Sequence, residues 1–150
     1  DGTPHTSGIC YGASSPATPF VLYCLTSKRY KKARNIQQNP IISFLIPFPH
    51  YYLRFAPSGT ITINGIAEFV PLENAEIQAI FSKKRILRRI LKEISTPENE
   101  SFTFIQINPN PKIVCHGVGY NIIQLRKGHK QAGYSVRIPP ERTQTQPKNT

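Results

Sequence analysis

A chain of 150 residues is long enough for one domain with a sizeable core and too short for two ordinary ones. Nineteen Lys and Arg against eight Asp and Glu give a formal charge of +11, a field that draws anionic ligands, nucleic acid or acidic membrane surface without choosing among them. Cys10, Cys24 and Cys115 are odd in number, widely spaced and free of a C-x-x-C pair, which argues against a disulfide framework or a zinc site and makes a reducing cytoplasm the simplest setting. The apolar stretches fall short of the roughly 18 residues a membrane span requires, and no signal peptide is visible.

The chain has no Met and opens on Asp1-Gly2, a dipeptide that normally turns one strand into the next, so a strand is expected ahead of it. Thr6 to Tyr11 reads as a short strand, Gly12 to Pro19 as a loop, and Phe20 to Leu25 as an apolar strand antiparallel to the first. Thr26 or Ser27 then has the chemistry to cap a basic helix that ends near Asn39, ahead of Pro40. That order of parts builds an anion pocket. Unpaired N–H groups and the positive end of the helix dipole lie beside Thr26 and Ser27, with Lys28, Arg29, Lys31, Lys32 and Arg34 close by, and a phosphate monoester is the natural guest.

Ile41 to Ile46 is a further apolar strand, which Pro47 and Pro49 end or push to a sheet edge, and the aromatic run His50, Tyr51, Tyr52 follows. From Thr60, Ile61, Ile63, Gly65, Ala67 and Phe69 share one face of a cleanly alternating strand. Ile77, Ile80, Phe81, Leu87, Ile90, Leu91 and Ile94 recur at helical spacing, giving one amphipathic helix or two shorter ones over Leu72 to Ile94, with an apolar stripe that covers a sheet. Phe102 to Ile107 reads as a strand that Asn108-Pro109-Asn110-Pro111 turns into a hairpin with Lys112 to His116. An apolar patch at Tyr120 to Leu125, a segment rich in Gly, Lys and Gln, and a last strand at Tyr134 to Ile138 complete the domain, and Pro139 onward is expected to be disordered. The fold class is therefore mainly β with flanking helices, an antiparallel barrel.

Taken together, D-G-T-P-H, the Y-C-L-T-S-K-R-Y-K-K-A-R-N-I-Q-Q-N-P block, the apolar strand after it and N-G-I-A-E resemble the pyridoxamine 5′-phosphate oxidase-like, FMN-binding split-barrel superfamily. The order and spacing match over roughly Asp1 to Val70. I-P-F-P-H, the basic helix after the G-x-A-E strand and R-I-P-P-E-R resemble an uncharacterised branch of it rather than the oxidase itself. The resemblance implies a homodimer of split barrels holding FMN at the subunit interface. Lys31 and Lys32 match the basic pair on the flavin phosphate; the first of that pair is Arg in the oxidase, so a bidentate grip becomes a point charge here. Leu25 and Thr26 match the phosphate and ribityl lining, Ser7, Gly8, Ile9 and Cys10 the strand beside the isoalloxazine ring, and Thr60 a polar residue, usually Gln, that crosses toward the flavin. Ser7 and Gly12 stand where the oxidase has Arg and Lys, and the C-terminal W-x-G-x-x-x-R-x-H pattern is absent, which argues against pyridoxamine phosphate as substrate.

The implied activity is an FMN-dependent oxidoreductase acting on a small molecule with an electron donor, its catalytic residues unassigned. Two other classes compete with it. One is a non-catalytic protein that holds flavin, deazaflavin or haem, and the other binds nucleic acid through Lys83, Lys84, Arg85, Arg88, Arg89 and Lys92. A solvated face is the plain alternative for both basic clusters. His5, Cys24 and the aromatic group Tyr51, Tyr52 and Phe55 beside Arg54 read as structural, and His116 lacks a second ligand at metal spacing.

Overall fold

A computed structural model describes residues 4–48, 59–94, 101–119 and 133–143. Six strands form one antiparallel sheet: β1 (Tyr11–Ala13), β2 (Leu22–Ser27), β3 (Ile41–Phe48), β4 (Gly59–Val70), β5 (Phe102–His116) and β6 (Gly133–Arg137), in the order β1-β2-β5-β4-β3 with β6 also on β5. Three helices flank it: α1 (Lys31–Gln38), α2 (Ala75–Ser82) and α3 (Arg85–Ile94). The chain is mainly antiparallel sheet with flanking helices, a barrel-like arrangement.

Strand alternation divides the core in two. Val21, Tyr23, Leu25 and Phe104 point to the side where α2 and α3 lay down Ile77, Phe81, Leu87, Leu91 and Ile94. Leu22, Cys24, Ile63, Ala67, Ile105 and Ile107 point to the other side, where Ile36 of α1 and the inward residues of β3 join them. The periodic stripe over Leu72 to Ile94 is thus two helices covering a sheet, as its spacing predicts. Their break falls at Lys83 and Lys84, and Asn74 caps α2 by accepting a hydrogen bond from the Ile77 N–H at 3.1 Å.

The hairpin expected at Asn108 to Pro111 does not form. β5 runs through all four residues as one strand, because neither proline faces a ladder that needs its N–H. Pairing with β2 stops at Ile107 and pairing with β6 starts at Lys112, so Pro109 and Pro111 fall in the gap between those partners. On the β4 side the register slips between Ile63 and Gly65. A Cβ on Gly65 would collide with the Asn108 carbonyl oxygen, so the close approach at this bulge requires glycine.

Two other boundaries differ from expectation. The first strand is Tyr11–Ala13, not Thr6 to Tyr11, and the polar stretch before it makes no ladder. Thr26 and Ser27 do not cap a helix: β2 carries them in its pairing with Thr103 and Phe102, and α1 starts at Lys31 after a turn, with Tyr30 at the cap position and no side-chain cap. At the C-terminal end, Pro140–Arg142 form a 3-10 turn. The Arg142 carbonyl accepts from the Phe20 N–H at 2.8 Å and its guanidinium lies 5.7 Å over the Phe20 ring, so this turn holds the loop between β1 and β2. His50, Tyr51, Tyr52, Arg54 and Phe55, the patch from 120 to 125 and the tail from 144 lie outside the described residues.

Candidate functional site

The extended pairing of β2 and the turn at residues 28–30 bring the first turn of α1 against the segment that leads into β1. Lys32 Nζ donates a hydrogen bond to the Gly8 carbonyl at 2.9 Å. Ser7, Gly8 and Cys10 are exposed, while Ile9 packs on the core side that contains Cys24. Burial pushes the Cys24 thiol up to about 12, with Lys32 pulling the other way and Cys10 adding to the rise, so both groups act on this sulfur. Gly8, Ile9, Cys10, Cys24 and Lys32 therefore form one neighbourhood. Lys31, beside Lys32 on α1, is exposed.

Thr26 sits in β2 on the same sheet face as Cys24 and is 2% exposed. Its Oγ1 is buried without a hydrogen-bond partner among the described residues. Its ladder neighbour Thr103 is satisfied, donating to the Val70 carbonyl at 3.0 Å. Ser27, on the opposite face, is also satisfied: it donates to Ser101 Oγ at 3.1 Å and accepts from the Arg29 N–H at 3.2 Å. A buried hydroxyl with no partner costs roughly 1–3 kcal/mol, so Thr26 is a polar group of this region that the described protein atoms leave unsatisfied.

Two other residues carried by the resemblance lie apart. Leu25 points away from Thr26, into the core under α2 and α3. Thr60 pairs with His116 near the start of β4, whereas Thr26 is level with the far end, where Val70 pairs with Phe104. Ten residues of strand span about 33 Å, so Thr60 cannot reach the Thr26 side within the chain.

One neighbour of the site has no sequence signal. The break between α2 and α3 comes down on the segment before β1, where Ile9, Cys10 and Tyr11 face Lys84, Arg85, Ile86 and Leu87 across an open groove of about 530 Å³. Lys84 Nζ lies 5.8 Å over the Tyr11 ring, whose edge meets Phe44 at a centroid distance of 5.3 Å. The helical period announces α3, but only the tertiary fold sets its N-terminus beside Tyr11. His5 and His116 are both exposed. Among the described residues no group of three His, Cys, Asp or Glu side chains could hold a metal ion, and no helix is long and apolar enough to cross a membrane.

No family model and no curated protein matches the chain. Among solved structures, a heme binding protein from Mycobacterium smegmatis matches 91% of this chain at a TM-score of 0.60 and 19% sequence identity. The likeness shows a related fold. This chain covers 48% of that protein, about half its length.

Proposed function

We propose that this chain is a flavin-binding protein of the split-barrel kind, an FMN-dependent oxidoreductase that acts on a small molecule. The observation that carries this reading is the buried Thr26 hydroxyl without a partner among the described residues, set five residues before a helix whose first residues are Lys31 and Lys32. The Lys31 and Lys32 ammonium groups supply point charges to the cofactor phosphate, the uncapped N-terminus of α1 supplies backbone N–H donors, and Thr26 supplies a hydroxyl on the same side. Ser7 to Cys10 offer a run of backbone outside the sheet ladder, exposed except at Ile9, along which a planar ring can lie. Bound flavin would supply hydride acceptance and donation at its N5 atom; the chain binds and orients it and sets its electrostatics.

A second copy of the chain completes the site in this reading. The edge strand β3 exposes Ile41 at 73%, Leu45 at 59% and Phe48 at 45%, an unusual amount of apolar surface on a sheet edge. A partner packed on it would cover that surface and could bring its own Thr60 to a site it cannot reach within one protomer. The heme binding neighbour favours a second reading, in which the same pocket holds haem, or a deazaflavin, without turnover.

The test is the visible spectrum of the purified protein with and without added FMN, followed by FMN titration of a Lys31→Ala, Lys32→Ala variant. A flavin spectrum with affinity reduced about 100-fold in the variant is expected, since two charge-assisted hydrogen bonds are removed. Unchanged affinity would refute the phosphate assignment. A haem band in place of the flavin spectrum would select the second reading.

A further inference from the structure

We propose that the exposed face of α3 binds the phosphate backbone of nucleic acid without regard to sequence. α3 buries Leu87, Leu91 and Ile94 under the sheet and leaves Arg85, Arg88, Arg89 and Lys92 exposed on the opposite side. These four fall at i, i+3, i+4 and i+7, one continuous stripe along the helix. The stripe rises about 10 Å, the length over which a stacked strand presents about three phosphates. Lys83 and Lys84 extend the charge just ahead of it. Glu93 is the one carboxylate on α3 and pairs with Arg89 at 3.3 Å, both side chains being well exposed, so it offsets little of the field.

Nucleic acid fits this face better than other polyanions. A membrane-surface helix needs an apolar face free to enter lipid, and here that face is spent on Phe81 and Phe104 in the core. A protein partner would need apolar anchors in the middle of the patch, and the one exposed apolar residue, Ile86, stands at its end. A stripe of three Arg and one Lys with little apolar surface has the composition of a phosphate-binding interface.

The test uses the whole chain with a fluorescein-labelled 20-nucleotide strand of mixed sequence and with its duplex, read by anisotropy. Three phosphate contacts predict a log–log salt slope of about −2.1 for the single strand, a weakening of about 18-fold between 50 and 200 mM NaCl. Arg85→Gln with Arg88→Gln should flatten that slope by about 1.4, because each lost contact removes about 0.7. Lys112→Gln with Arg137→Gln removes equal charge from the β5–β6 pair and should leave the slope in place. Arg to Gln is nearly neutral for helix propensity on α3, and Lys112 and Arg137 are exposed strand residues, so both variants keep the fold. No binding at 50 mM NaCl, equal loss in both variants, or equal affinity for polyglutamate or for phosphatidylserine vesicles would overturn the proposal.

Discussion

α1 and α3 are both basic helices with no acidic residue in the first turn, and they use their cations in opposite ways. α1 is eight residues long, buries only Ala33 and carries Lys31 and Lys32 where the dipole disfavours positive charge. α3 is ten residues long, buries three large aliphatic side chains and spreads its cations along its whole exposed side, with Lys92 in the favourable last turn. α3 is thus anchored by packing and tolerates its charge. α1 has little packing to offset the unfavourable placement, and an anion at its N-terminus would relieve it. Similar composition therefore leaves its charge at an uncapped end in one helix and along a packed helix's exposed face in the other.

The sharpest way to break this comparison is to remove packing from each helix. Leu91→Ala on α3 should cost about 2–4 kcal/mol in urea unfolding, because Leu91 is 7% exposed within the larger helix-facing core. Ile36→Ala on α1 should cost about 1 kcal/mol, since Ile36 is only half-buried. Equal costs would show that α1 is held by packing as firmly as α3.

Ligand should reverse that ranking. FMN at about 100 times its Kd should stabilise the wild-type protein by about 2.7 kcal/mol, and the same FMN concentration should barely move a Lys31→Ala, Lys32→Ala variant. Replacing the α3 pair Arg88→Gln and Arg89→Gln should leave the FMN effect intact. If the α3 pair also abolishes it, the two helices share one anion site and the contrast between them fails.

The Cys24 thiol offers a third test, on the β2 strand that supports α1. The ordinary thiol value is 9.0 and burial lifts Cys24 to about 12. Above pH 9 the unfolded chain loses this proton while the folded chain keeps it, so stability falls as pH rises from about 9 toward 12, by up to about 1.4 kcal/mol per pH unit. Cys24→Ala should lose less stability than the wild type between pH 8.5 and 10.5, and an identical loss would show that Cys24 does not set the slope. In the native protein a thiol reagent should label exposed Cys10 and spare buried Cys24 and Cys115 until unfolding.

The strands and the α2–α3 stripe were legible because burial repeats at their own period. Ile61, Ile63, Ala67 and Phe69 alternate, and Leu87, Leu91 and Ile94 recur at helical spacing, wherever the partners come from. Thr26 and Ser27 have the local chemistry of helix caps yet lie in a strand, for a physical reason. Local hydroxyl chemistry favours a helix start there, but the ladder to Thr103 and Phe102 on β5 offers two more residues of paired backbone, and those partners lie more than 70 positions away. Asn108 to Pro111 misled in the same way, since only the sheet order shows a gap in which proline is harmless. Of the candidate site, the basic pair Lys31 and Lys32 and the Thr26 hydroxyl are visible in the sequence as residue types. The contact of Lys32 with Gly8, the influence of Cys10 on Cys24 and the arrival of Lys84 and Arg85 at Tyr11 follow from register and packing, which no local pattern encodes.

The smallest expected effect bears most directly on the site. Thr26→Val keeps the shape of the side chain and replaces the unpartnered hydroxyl with a methyl group. Without ligand the change should stabilise the protein by about 1 kcal/mol, because a buried polar group no longer goes unsatisfied. With FMN present the sign should turn, and affinity should fall about tenfold through loss of a hydrogen bond to the charged phosphate. Stabilisation without loss of affinity would make Thr26 a plain structural orphan and leave the cofactor to Lys31 and Lys32 alone. Destabilisation of the ligand-free protein would mean that the hydroxyl already has a partner in the folded chain, and the feature that most distinguishes the α1 end of the molecule from α3 would disappear.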